Sequence, residues 1–144
     1  MPDATRMLLT TPSHHGIDTA VLGESIEALS VASVTSAACA DACLDEYDLR
    51  RDCVAACHTV ADIAGTTARV LARSARWDAP VVHGLVEVTA RALSSCAAHC
   101  EDHAATAKHC QVCADDCRRA EKACQQLLAA LATLAANSHS AEQR

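Results

Sequence analysis

The stretch HCQVCADDCRRAEKAC, His109 to Cys124, concentrates residues able to do chemistry. At about 100° per residue, a helix places Cys113, Cys117 and Cys124 about 300°, 340° and 320° round from Cys110. The four sulfurs share one narrow stripe, at positions where an ordinary bundle presents leucine to its core. Three further pairs, Cys39/Cys43, Cys53/Cys57 and Cys96/Cys100, repeat the Cys-x3-Cys spacing of Cys113/Cys117, and the chain holds 10 cysteines in all.

That spacing discriminates between thiol chemistries. On a helix, residues four apart have Cβ atoms about 5 to 6 Å apart, whereas a disulfide wants about 3.5 to 4.5 Å. The four pairs are therefore poor internal disulfides and suit a metal held between two sulfurs. All-thiolate surroundings select Cu(I), zinc or iron–sulfur clusters. A zinc tetrathiolate leaves a net charge of minus two. One Cu(I) per thiolate is neutral, so many ions can enter an apolar core without accumulating buried charge. The ferredoxin run C-x2-C-x2-C-x3-C-P is absent. Multiple Cu(I) is the cargo this pattern favours. Empty, the thiols act as small hydrophobes, so the fold is expected to form without metal.

Histidines add candidate entrance groups. His99 and His103 are four apart beside the cysteines, and both are taken as candidate metal residues. His58 and His109 rank lower, since each is adjacent to a seam cysteine and so points partly away. His14 and His15 read as solvated residues of the N-terminal lead-in.

The elements that must position these thiols are helices. With 4 Gly, 3 Pro, no Phe and 51% apolar residues, the composition argues against sandwiches and barrels. Residues 1–16 read as a flexible lead-in, broken by Pro2, Pro12 and Gly16. A first helix is expected from an Asp18 cap to about Asp45, with Val21, Ser25, Ala28, Ala32, Ser36, Cys39 and Cys43 inward. A second is capped by Asp48 and runs from Leu49 to about Ser74, with Cys53, Cys57, Val60, Ala64 and Leu71 inward. A third follows Pro80, from Val81 to Asp102, with Val82, Leu85, Val86, Thr89, Leu93, Cys96 and Cys100 inward. A fourth, with Thr106 as cap, carries the opening stripe on through Leu127, Leu128, Leu131 and Leu134. Asn137 ends the fold, leaving 137–144 as a polar tail.

Two halves look alike. Cys39-x3-Cys43-x9-Cys53 recurs as Cys96-x3-Cys100-x9-Cys110, which points to two packed helical hairpins. Residues 17–136 are thus expected to form one antiparallel, up-down-up-down four-helix bundle. Both hairpin turns then lie at one end, and the cysteines line that half of the core.

Charge and targeting narrow the function classes. A formal charge of -6 offers no basic patch for nucleic acid or an anionic membrane. Met7-Leu8-Leu9 is too short for a signal core, and no apolar run reaches about 18 residues. A cytoplasmic location is expected, where thiols stay reduced and disulfides are rare.

These residues carry a resemblance. The Cys-x3-Cys pairs, CVAACHTVADI and HCEDHAATAKHCQVCADDC resemble the bacterial copper storage proteins, specifically the cytosolic kind without an export signal. The resemblance spans about residues 17–136. It implies a four-helix bundle holding many Cu(I) ions, commonly a homotetramer, with histidines near one open end. Carried over by position, its ligands are Cys39, Cys43, Cys53, Cys57, Cys96, Cys100, Cys110, Cys113 and Cys117, with Cys124 by extension. Val60 and Ala64 stand where the fourth helix has Cys113 and Cys117, so the expected capacity is nearer the number of thiols, about ten, than a fully lined core allows.

Other classes are a zinc–thiolate protein and a disulfide-stapled helical hairpin of the twin Cys-x3-Cys type, similar to small intermembrane-space chaperones. The extra stripe at Cys113, Cys117 and Cys124 counts against the hairpin. Inward Glu-x-x-His pairs of diiron enzymes are absent, and a closed core lacks the exposed electropositive setting of reactive cysteines. The chain is not expected to be an enzyme.

Overall fold

Asp18 opens the bundle: its carboxylate accepts from the backbone N–H groups of Ala20 and Val21, at 2.8 and 3.2 Å. These satisfy donors that the first helical turn leaves without partners. A computed structural model describes residues 2–11, 16–46 and 50–143. Its helices are α1 (Asp3–Leu8), α2 (Thr19–Leu44), α3 (Arg51–Ala72), α4 (Ala79–His103) and α5 (Lys108–Glu142). A short 3-10 turn, Ser74–Arg76, precedes α4. Asp78 caps α4, accepting from Val81 N at 3.3 Å, and Pro80 sits in the first turn, where its missing N–H costs nothing.

The long helices pack in a ring, α2 on α3, α3 on α4, α4 on α5 and α5 back on α2. Specific contacts show the antiparallel register. Late in α2, Cys43 meets Cys110 at the start of α5; early in α2, Ser25 Oγ donates to Ala123 O far along α5. Cys53 at the start of α3 meets Cys100 at the end of α4, and Thr67 meets Thr89 deeper in. The expected up-down-up-down bundle is what the chain forms, with both hairpin turns at the thiol end.

Burial follows the helical period. Leu29, Leu71, Leu93, Leu127, Val60 and Val86 have no exposed surface. Polar groups in the core are hydrogen-bonded, as burial requires: Thr67 and Thr89 share a 2.8 Å bond, and Thr89 also donates to Leu85 O. Leu85, expected inward, is half-buried, as are Val21, Leu128, Leu131 and Leu134.

The structure corrects several details. The N-terminal lead-in contains α1, whose Thr5 is buried against α2. A Cβ added at Gly23 would stand 1.8 Å from Thr5 Oγ1, so glycine is what permits this close approach. α2 packs against α1 as well as α3 and α5, and Leu22, Ile26 and Leu29 are buried beside the expected stripe. By length and composition α2 is apolar enough to cross a membrane, contrary to the expectation that no stretch is; here its buried residues form a wall of the bundle. The helix expected from Leu49 starts at Arg51, while the Asp48 cap, like His14 and His15, lies outside the described residues. Thr106 does not cap α5. Its hydroxyl donates back to His103 O, finishing α4. No Gly or Pro follows Asn137, and α5 runs past it to Glu142.

Each main helix depends on an apolar contact of this kind. Replacing the fully buried Leu29 with alanine is expected to lower unfolding free energy by about 2 to 5 kcal/mol, measured by urea denaturation of the metal-free protein.

Candidate metal centre

All ten cysteines are buried, at 2% exposure or less, and all are free thiols. Two come from α2, two from α3, two from α4 and four from α5. The period argument explains why they converge: each Cys-x3-Cys pair occupies consecutive turns of one inward stripe.

The sulfur contacts run mainly between helices. Cys110 Sγ lies 4.0 Å from Cys39 Sγ and 3.9 Å from Cys43 Sγ. Cys100 Sγ lies 3.7 Å from Cys53 and 3.9 Å from Cys57. Cys57 reaches Cys96 at 3.6 Å and Cys113 at 4.0 Å. Cys113 and Cys117, 4.0 Å apart, are a pair in contact along one helix. With metal–sulfur bonds of about 2.3 Å, three sulfurs around one ion stand about 4.0 Å apart and a linear pair about 4.6 Å. A disulfide needs about 2.05 Å between sulfurs. The thiols are thus spaced for metal bridges.

They form connected groups along the bundle axis. Cys39, Cys43, Cys110 and His109 lie at the mouth; Cys39, Cys53, Cys100 and Cys110 come next; then Cys39, Cys57, Cys100 and Cys113; and deepest Cys96, Cys113 and Cys117. In each group the ligand atoms lie within 4.8 Å of one another. Neighbouring groups share sulfurs, which suits an extended cluster better than isolated ions. At the deep end Ser36 Oγ stands 3.5 Å from Cys113 Sγ and 3.6 Å from Cys117 Sγ, where α2 offers a hydroxyl in place of another thiol.

The groups do not follow the order in which sequence spacing ranks the histidines. His109, ranked below His99 and His103, is the histidine that these groups include among the described residues. His99 and His103 are half-buried at the end of α4, and His58 is exposed. Cys124 is buried but belongs to none of the groups. His109 was detectable only through its place beside Cys110 in the first turn of α5, where the mouth lies.

Burial and hydrogen bonds shared between sulfurs together set the acid–base state. It pushes Cys124 up to about 12, with nearby Glu121 adding repulsion. Burial first, then the neighbouring Cys39 and Cys53, pushes Cys110 up to about 12. Cys43 and Cys53 also move upward, chiefly by burial. Cys113 moves down, because Cys100 first and then Cys117, Cys39 and Cys57 donate hydrogen bonds to its sulfur. The same sharing pushes Cys100 and Cys117 up.

A cleft of about 610 Å³ lies elsewhere. Trp77, Pro80, His83, Leu131 and Leu134 line it at the opposite end, and no cysteine does.

A family model for copper storage proteins matches residues 19–129. The chain belongs to the copper storage protein family. Among solved structures, the copper storage protein Ccsp from Streptomyces lividans, loaded with 10 copper equivalents, is 35% identical with a TM-score of 0.85, covering 88% of this chain and 98% of that one. The cytosolic copper storage protein from Streptomyces lividans with five coppers is 36% identical with a TM-score of 0.74, over 76% of this chain and 92% of that one. A His-to-Ala variant of the same Ccsp is 37% identical with a TM-score of 0.78, over 81% and 98%. No curated protein matches the chain.

For this family member, the buried Cys124 thiol predicts a pH effect. Its raised pKa means that above about pH 9 the unfolded chain binds fewer protons than the folded one. Stability from this group is complete below pH 9 and is lost as pH rises toward 12, by up to about 1.4 kcal/mol per pH unit. Cys124→Ala is expected to flatten the decline, measured as urea midpoints of metal-free protein from pH 8.5 to 11.

Proposed function

We propose that the chain stores several Cu(I) ions per molecule in the cytoplasm, bound by thiolates inside the bundle, and so buffers copper for later use and limits its toxicity. The observation that carries this reading is the continuous set of buried sulfurs 3.6 to 4.0 Å apart across helices. The proposed ligands are Cys39, Cys43, Cys53, Cys57, Cys96, Cys100, Cys110, Cys113 and Cys117, with His109 at the mouth. Cys124 serves as the deepest single thiol. His99 and His103 flank the end of α4 as outer groups that hand ions inward.

The chemistry follows from charge. Each Cu(I) that enters replaces a thiol proton, so a thiolate and its ion together remain neutral in the apolar core. Capacity is then of the order of the thiol count. The function is binding, with no catalytic step assigned. Copper storage proteins from Streptomyces lividans with five and ten coppers support the copper assignment.

The proposed assembly is a homotetramer, as the family resemblance implies. Val81 and Val88, seven residues apart on one face of α4, are 59% and 48% exposed and supply apolar surface for it. Light scattering is expected to give the mass of four 15.1 kDa chains; a monomer would contradict the tetramer alone.

The storage reading is tested by anaerobic titration with Cu(I) against a competing chelator, with zinc in parallel. Tight uptake of several Cu(I) per chain with little change in helicity is expected. Uptake of a single ion, or a preference for zinc, would overturn it.

A further inference from the structure

Two side chains at the thiol end lie outside the sulfur groups and yet touch them. Glu46 lies just beyond α2, and Arg50 immediately precedes α3. Glu46 Oε1 accepts from His109 Nε2. Its other oxygen, Oε2, lies 3.1 Å from Arg50 Nη1. Arg50 Nη1 also stands 3.9 Å from Cys110 Sγ, and Nη2 donates to Thr106 Oγ1 at 3.5 Å. His109 Nδ1 faces Cys110 Sγ at 3.6 Å. These contacts tie the first hairpin turn to the second across the mouth. The side chains are also well shielded, Arg50 at 16%, His109 at 27% and Glu46 at 28% exposure.

The hydrogen-bond logic fixes the imidazole. A neutral histidine has one N–H and one bare nitrogen, and a carboxylate can only accept. In the neutral ring, Glu46 on Nε2 favours the proton there and leaves Nδ1 its lone pair. Nδ1 is the nitrogen that faces Cys110. Metal-binding histidines commonly have their other nitrogen held in this way, which sets both tautomer and ring direction. Arg50 in turn holds Glu46 by its free oxygen.

We propose that Glu46 is a positioning residue for copper entry, holding His109 so that Nδ1 and Cys110 Sγ together take each arriving Cu(I) before it passes inward. The inference rests on the storage reading above. In the entry step Cu(I) leaves its donor and forms bonds to Nδ1 and Sγ, and the Cys110 thiol proton goes to solvent. The metal stays Cu(I) and nothing is oxidised. Cys39 and Cys43, in the same group as His109 and Cys110, are the next acceptors. From Cys39 the ion reaches Cys53 and Cys100 without crossing a gap between groups.

The test uses the full chain and Cu(I) delivered anaerobically as its bicinchoninate complex, with transfer followed by stopped-flow loss of that complex's absorbance. Glu46→Ala is expected to slow initial transfer about tenfold, the size typical of losing a group that orients a histidine ligand, with copper at saturation within one equivalent of the wild type. Imidazole nitrogen NMR should show that Glu46→Ala loses the uniform Nε2–H form of His109. Glu46→Gln, which keeps an acceptor oxygen for Nε2–H, is expected to load within threefold of the wild type. His109→Ala combined with Glu46→Ala should load no more slowly than His109→Ala alone, because Glu46 acts through His109. Wild-type rates in Glu46→Ala overturn the proposal. So does a tenfold slowing by Glu46→Ala in the His109→Ala background, or Glu46→Gln loading as slowly as Glu46→Ala. A wild-type chain that accepts one ion or none removes the storage reading instead, a result visible before any variant is made.

Discussion

Charge cannot accumulate in the core of this bundle, and much of the architecture follows from that constraint. Ten thiols occupy positions that leucine or valine would fill in an ordinary helical protein, and all are sealed from solvent. Burial holds several of them, including Cys43, Cys110 and Cys124, in the neutral thiol form over the physiological range. The metal-free core is therefore an apolar core with sulfur in it, and it packs as one. Proton and Cu(I) carry the same charge, so exchanging one for the other leaves the interior neutral. A divalent ion has no such one-for-one equivalence with a thiol proton.

Most of the frame was legible in the sequence, because helix period and end signals are local properties. Asp18 acts as a cap, Pro80 sits in a first turn, and the inward stripes place all ten cysteines correctly on buried faces. What the period cannot supply is the identity of the neighbour across the gap. Spacing along one helix drew attention to the Cys-x3-Cys pairs, whereas the short contacts join Cys110 to α2, and Cys57 to α4 and α5. Those depend on helix rotation and register, which are set by packing. The burial of Leu22 and Leu29 beside the expected stripe of α2 was hidden for the same reason, and so was the return of α1 onto α2, where a glycine at 23 leaves room for Thr5.

The histidines illustrate the limit from the other side. His99 and His103 have a recognisable helical spacing, yet the groups of potential ligands include His109 instead. Its direction is decided by Glu46, a residue of a different hairpin turn 63 positions away. No periodic signal links such positions. The same holds for Ser36, which reads as one more small residue of the α2 stripe and proves to be the hydroxyl facing Cys113 and Cys117.

The layered order of the thiols, from the mouth at His109 to the level of Cys117, makes the bundle a graduated vessel. Each helical turn is one mark on the scale, about 5.4 Å in height, and the residue types at that level decide whether it counts. On α3 the scale stops after Cys57, where Val60 and Ala64 follow; on α5 it runs a turn further. A lineage can therefore alter how much cargo the protein carries by exchanging single small core residues at the boundary, with helix length, turns and outer surface left as they are. Such trades are mildest among cysteine, serine and alanine, which are closest in size, whereas valine carries an extra methyl group that the core must accommodate. The leucine-filled end is then reserve height as well as foundation, and the fold separates the question of how much it holds from the question of whether it stands.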